Sequence, residues 1–390
     1  MQLIRKVIIL IKSFIRYILR MFFKLPFFKV KNNKIVFDNF NGKGFGCNPK
    51  YIALEVINQK LDWDMVWLVK DMSEDMPKEI RKVKYGRLRA LYELSTAKIW
   101  IDNVRTYKGV DKKKNQFYIQ TWHGSIGPKK IEKEIESYLS AQYIKSAKND
   151  GKITDLMLSN NKIATYCYKN NFWYDGPVLE IGVPRNDIIL NTPKNLKKDI
   201  FKKFNICIDK AVVLYAPTFR KNLNLDVYKF NYIKILELLK KRFEKDFVFF
   251  IRLHPNVSKF CDFIEYNESI INVTQYPDCQ ELLAISDVCI SDYSSTAFDF
   301  AMINKPVFLL CKDFDDYKKN EREFCIDFTK VPFSIAITEE ELIDNIKRFD
   351  NDYYIQKCKE FYSKYDLKNN PNSSKEIVKI IKREIDLENL

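Results

Sequence analysis

In a chain of 390 residues only two are histidines, His123 and His254. Each stands just past an apolar run, in Gln120-Thr-Trp-His-Gly124 and in Arg252-Leu-His-Pro255. Imidazole titrates nearest neutral pH and is the commonest general acid or base, so both are candidates for proton transfer. Taken singly, either is as readily a satisfied polar side chain, and the case has to come from its neighbours. Ser294 and Ser295 precede Thr296-Ala-Phe-Asp-Phe-Ala-Met302, which reads as a helix. Hydroxyls and free amides at a helix start suit a phosphate, and equally suit ordinary capping. Arg220 and Arg252 supply cations able to hold phosphate oxygens or to pair with carboxylates. Asp313 and Asp315 have a spacing found at some metal–nucleotide sites, but acids in a loop after a strand are common, and no metal is expected.

These residues share one placement: each follows an apolar run. Ile35 to Phe37, Met65 to Val69, Ile99 to Ile101, Phe117 to Ile119 and Leu156 to Leu158 read as buried strands, and Val178 to Ile181 leads into Gly182-Val-Pro-Arg-Asn-Asp187. A second series runs through Ala211 to Tyr215, Phe247 to Ile251, Val288 to Ile290 and Val307 to Leu310. Short apolar strands separated by helix-compatible stretches predict parallel sheets built from βαβ units, and two series predict two doubly wound domains. Their boundary falls in Asn191 to Asn205, a final helix covers Glu376 to Glu388, and ligands should lie beyond the strands' carboxyl ends.

Composition narrows the partners. A formal charge of +15 implies an anionic one: nucleic acid, a membrane surface or a phosphorylated substrate. The nine cysteines are scattered without paired short spacing, so they read as reduced thiols rather than zinc ligands or disulfides. Residues 1–28 stand apart: Arg5, Lys12, Arg16, Arg20 and Lys24 form one helical stripe opposite Ile, Leu, Val and Phe. The apolar runs between those charges are too short to span a bilayer, which predicts a basic amphipathic helix lying on an anionic membrane face, or else one docked on protein. Pro26 ends it.

Five of the segments together resemble the signature blocks of the CDP-glycerol glycerophosphotransferases, the family that makes teichoic acids and related capsular phosphopolymers. They are Gln120-Thr-Trp-His-Gly-Ser-Ile-Gly-Pro-Lys-Lys130, Gly182-Val-Pro-Arg-Asn-Asp187, Tyr215-Ala-Pro-Thr-Phe-Arg220, Arg252-Leu-His-Pro255 and Ser291-Asp-Tyr-Ser-Ser295, in family order and followed by Lys312-Asp-Phe-Asp-Asp-Tyr317. Five ordered blocks are a specific signal where one is weak. The resemblance implies an α/β, GT-B architecture: an amino-terminal amphipathic helix (1–28), then two Rossmann-like domains facing a cleft, an acceptor domain (29–195) and a nucleotide-donor domain (196–390), the last helix being able to pack back on the first. It implies His123 as the histidine that activates the acceptor and His254 as a second essential one on the nucleotide side. Thr218, Arg220, Ser294 and Ser295 would lie near the donor phosphates, with Trp122, Gly124, Arg185, Arg252 and Asp292 as further substrate contacts. Ser125-Ile-Gly-Pro128 stands where the family usually has Thr-Pro-Leu after the glycine, a departure that bears on the acceptor.

The expected reaction is transfer of glycerol phosphate from CDP-glycerol, or a related CDP-polyol, to a hydroxyl of a lipid-linked glycan or phosphopolymer, releasing CMP without a cofactor. The expected place is the cytoplasmic face of the cell membrane, peripherally bound. The alternatives are ribitol-phosphate transfer, a glycosyltransferase or nucleotide-sugar epimerase on the same fold, and a basic membrane- or nucleic-acid-binding protein without turnover. No nucleic-acid motif supports the last.

Overall fold

The computed structural model describes residues 14–386 apart from 16, 106–108 and 322. Two all-parallel sheets carry the fold. The first contains β1 (Lys31–Phe37), β2 (Asp64–Val69), β3 (Ile80–Lys84), β4 (Ala97–Asp102), β5 (Phe117–Gln120), β6 (Leu156–Ser159) and β7 (Val178–Glu180), in the order 3-2-1-4-5-6-7. The second contains β8 (Ala211–Tyr215), β9 (Phe247–Ile251), β10 (Ile270–Asn272), β11 (Val288–Ser291), β12 (Val307–Leu310) and β13 (Ser334–Ala336), in the order 10-9-8-11-12-13. Helices cover both faces, which is why Ala-Val-Val-Leu-Tyr and Phe-Val-Phe-Phe-Ile are buried at every position of β8 and β9.

In both sheets the order reverses between the first strand and the fourth, and this is where open α/β sheets bind ligands. Register brings the strand ends level there. Phe37 pairs with Ile101 and Asp102 with Gln120, so the loops after β1, β4 and β5 leave the first sheet together. Tyr215 pairs with both Ile251 and Ile290, so the loops after β8, β9 and β11 leave the second together.

The two sheets are tied to each other by buried polar contacts. Lys50, on α1 (Cys47–Asn58), lies 2.6 Å from both Asp278 and Glu281, at the start of α2 (Cys279–Ile285), and Tyr51 donates to Asp278 at 2.8 Å. Burial alone would lower the lysine pKa; the two carboxylates outweigh it and raise it, so the ammonium form is held across the junction. The chain also crosses back. After the second sheet, α4 (Ser373–Asp386) buries Ile377, Val378, Ile381 and Ile385 in the core of the first sheet. Its start is fastened by Asp187, which accepts the amides of Ser373 at 3.1 Å and Ser374 at 2.7 Å.

At the amino end Arg5, Lys12 and Arg16 lie outside the described residues, whereas residues 17–22 are helical. Here the stripe splits. Arg20 and Lys24 both pair with Asp111, and Phe23 is buried beside Val36 and Leu94, so this end docks on the protein itself. Phe14, Tyr17, Ile18, Phe22 and Phe27 remain exposed on its other side. Among the described residues no helix is long and apolar enough to cross a membrane.

Candidate active site

His123 sits three residues past β5 on a turn that Trp122 enters with φ +50°, a left-handed conformation that non-glycine residues take only when their surroundings compel it. The compulsion is visible. Asn48 on α1 donates to the carbonyl of Trp122 at 2.9 Å and accepts the amide of Arg185 at 3.0 Å. Arg185 in turn donates to the carbonyl of His123 at 2.5 Å and pairs with Asp299 at 2.5 Å. Asp299 belongs to α3 (Ser295–Ala301), the helix behind Ser294 and Ser295. A buried chain of contacts thus runs from the His123 backbone to the serine-capped helix of the other sheet.

The imidazole of His123 is oriented as tightly as its backbone. Its Nδ1 is 2.7 Å from the carbonyl oxygen of Asn103, and its ring packs between Phe40 and Trp122. A carbonyl can only accept, so Nδ1 carries a proton, and in the neutral ring the lone pair then lies on Nε2, the tautomer of a general base. His254 is held the other way round: its Nδ1 accepts the amide of Asn256 at 3.2 Å as it caps a one-turn helix, which leaves the proton on Nε2. Partial desolvation and the nearby Lys43 ammonium keep its pKa below the usual imidazole value, favouring that neutral donor form.

A cavity of about 560 Å³ brings part of the expected set together: Trp122, His123 and Gly124 line it together with Tyr293, Ser294 and Ser295. Ser294 caps α3, accepting the amide of Thr296 at 3.2 Å. Thr218, Arg220, Asp292, Arg252 and His254 are not on this wall. Arg220 is almost wholly buried, two-pronged on Asp313 at 2.6 and 3.0 Å and 2.9 Å from Asp292. Asp292 also accepts the amide of Thr218 at 2.8 Å, so these three residues brace the loop after β8 against the loop after β11. Asp313 accordingly serves an arginine; among the described residues no group of three or more His, Cys, Asp or Glu is placed to hold a metal ion. Arg252 donates to the carbonyl of Tyr276 at 2.5 Å. Arg185, expected at the substrate, has its terminal nitrogens on protein partners.

The family model for CDP-Glycerol:Poly(glycerophosphate) glycerophosphotransferase matches residues 18–383. The chain belongs to that family. This glycerophosphotransferase is 30% identical over 388 residues to the teichoic acid poly(glycerol phosphate) polymerase of Bacillus spizizenii, covering 96% of this chain and 98% of that one. It is also 30% identical to the teichoic acid glycerol-phosphate transferase of Staphylococcus aureus, covering 91% and 94%. A solved structure of the wall teichoic acid polymerase TagF, a histidine-to-asparagine variant soaked with CDPG, superposes with a TM-score of 0.84 at 29% identity, over 99% of this chain and 98% of that one. The α/β fold with two parallel sheets is therefore the GT-B-like one of that polymerase, and the enzyme is a transferase that uses CDP-glycerol.

Several residues of the glycerophosphotransferase site escape a reading by motif. The loop after β1, Asn39-Phe-Asn-Gly-Lys-Gly-Phe-Gly46, supplies Phe40 to the His123 ring and Lys43 to the surroundings of His254. It follows an apolar run, as the five chosen segments do, and its alternating glycines were the available signal. Gly42 needs its glycine: φ is +78°, and a Cβ would come within 2.8 Å of Tyr85. Asn48, Asn103 and Asp299 act through hydrogen bonds to residues distant in sequence, which no spacing rule marks.

Proposed function

We propose that the enzyme transfers glycerol phosphate from CDP-glycerol to a hydroxyl of a membrane-linked glycan or phosphopolymer, with His123 as the base, in teichoic acid or related capsule synthesis. The observation that carries this reading is a histidine with its Nδ1 proton on a backbone carbonyl, lining one cavity with a serine-capped helix end. Nε2 of His123 takes the proton of the acceptor hydroxyl, whose oxygen attacks the β-phosphorus. The bond from that phosphorus to the bridging oxygen breaks, and CMP leaves with the electron pair. Ser294, Ser295 and the free amides of α3 meet the phosphate charge, and the Nε2 proton of His254, with Arg252, meets the departing phosphate. Phosphoryl transfer asks for this kind of positioning and neutralisation more than for covalent chemistry. Arg220 and Asp292 hold the Thr218 loop in place for it.

The exposed apolar side chains of residues 14–27 support a peripheral seat on the cytoplasmic face of the membrane, where a lipid-linked acceptor is presented. In an assay of the full chain with a lipid-linked acceptor, CDP-glycerol should give CMP and a lengthened product, while CDP-ribitol and UDP-sugars give far less. Release of UDP, or preference for CDP-ribitol, would overturn the donor assignment.

A further inference from the structure

The cavity that holds His123 has further polar lining besides the serines. Arg105, Glu132 and Tyr143 line it. Arg105 is buried, with one terminal nitrogen 2.7 Å from Asp150 and the other donating to the carbonyl of Phe172 at 2.6 Å. Glu132 is 4% exposed, and one of its oxygens accepts the Tyr143 hydroxyl at 2.5 Å. What remains is one buried donor and one buried acceptor without hydrogen-bond partners among the described residues: Nε of Arg105 and Oε2 of Glu132. They stand 3.6 Å apart, close enough to attract and too far for a good hydrogen bond.

Two further observations mark this pair as more than a structural ion pair. Glu132 has φ +57°, a left-handed backbone that is strained for a non-glycine residue and is met at functional sites. Burial raises its carboxyl pKa, a push that Tyr143 and Arg105 only partly oppose. An unsatisfied carboxylate oxygen beside an unsatisfied N–H fits an alcohol: one hydroxyl donates its proton to the first and accepts from the second at the same oxygen atom.

We propose that Arg105, Glu132 and Tyr143 form the acceptor subsite, in which Oε2 of Glu132 and Nε of Arg105 read a non-reacting hydroxyl of the acceptor's terminal polyol while the neighbouring hydroxyl is presented to His123. This rests on the proposed function and adds what that reading lacks, a place for the acceptor and a reason why it should be a polyol. A site built to bond a hydroxyl rejects the analogue that lacks it, because its buried groups are then left unpaired.

The test compares two synthetic lipid-linked acceptors with CDP-glycerol as donor, one ending in glycerol phosphate and one in 1,3-propanediol phosphate, which keeps the reacting primary hydroxyl and lacks the secondary one. The wild-type enzyme should prefer the glycerol acceptor by at least about tenfold in kcat/KM. Glu132→Gln should lose most of that preference and raise the acceptor KM while the donor KM stays within about twofold. Tyr143→Phe, which removes only the bond to the other carboxylate oxygen, should lose part of it and serves if the first variant folds poorly. Equal use of the two acceptors by the wild-type enzyme overturns the subsite, as does a preference that survives in both variants. A changed donor KM with an unchanged acceptor KM also overturns it, since the pocket then holds the donor's glycerol. A wild-type enzyme that releases no CMP with either acceptor overturns the proposed function, and the subsite with it.

Discussion

His123 and His254 occupy matching places in the two sheets, each a few residues past an inner strand, yet their surroundings give them opposite protons. His123 faces a backbone carbonyl and keeps its proton on Nδ1; His254 faces a backbone amide and keeps its proton on Nε2. One ring lies between two aromatic neighbours on a loop braced by Asn48 and Arg185, and the other rests on Phe219 and is exposed at the start of a one-turn helix. The first arrangement suits a group that must take a proton at a fixed point, and the second a donor that adjusts to an arriving phosphate. Under the proposed roles, what separates the two histidines is less their position after a strand than whether the first backbone partner donates or accepts.

The strongest way to break this contrast is to remove each ring in turn. His123→Ala should lower kcat by about 10³-fold with the affinity for CDP-glycerol little changed, whereas His254→Ala should lose less in kcat and weaken donor binding. Equal losses in both terms for both variants would dissolve the distinction. Next in size is the brace. Asp299→Ala leaves Arg185 buried without its partner and should cost about 3 kcal/mol of stability in urea denaturation. It should also lower kcat by at least about tenfold, because the carbonyl of His123 is bonded by that same guanidinium. A stability loss with unchanged kcat would show that the brace holds the sheets together but does not position His123.

Lys43 sharpens the other side. Its positive charge disfavours the protonated form of His254, so Lys43→Ala should raise the His254 pKa toward the ordinary value. Because the partial desolvation that is the larger cause remains, the rise should be partial. An NMR titration of the His254 ring checks it, and an unchanged or lowered pKa would mean that the lysine does not sense the ring. The smallest effect on chemistry should come from the amino end. Exchange of Ile18, Phe22 and Phe27 for serine leaves Phe23 anchored and should reduce binding to anionic vesicles several-fold while activity on a soluble acceptor changes by less than about twofold.

The sheets were legible from sequence where strands are covered on both faces. Val212, Val248 and Ile290 belong to unbroken apolar runs because nothing on either side of them is wet. The strands that went unread, β3, β10 and β13, lie at sheet edges or are three residues long; in β3 only Ile80 and Val83 are buried, and a polar-rich pentapeptide carries little signal. The serines and histidines were found because their positions after strands are local facts. Arg105, Glu132, Asp150 and Asp299 were not, since each is an ordinary charged residue until the fold buries it beside a group from a distant segment. Arg185 was found for its motif, and its partners turn out to be protein.

The return of α4 to the first sheet has a mechanical consequence. The polypeptide passes between the two sheets twice, and both passages are fastened at one place, where Asp187 holds the amides of Ser373 and Ser374 and Asn191 donates to the carbonyl of Pro371 at 3.0 Å. The two passages are thus stitched to each other as well as to the sheets, and this seam acts alongside the buried contacts of Lys50, Tyr51 and Arg185 rather than alone. Loss of any one side-chain contact between the sheets therefore leaves them joined by two lengths of backbone held side by side, so His123 and Ser294 stay linked through more than one route.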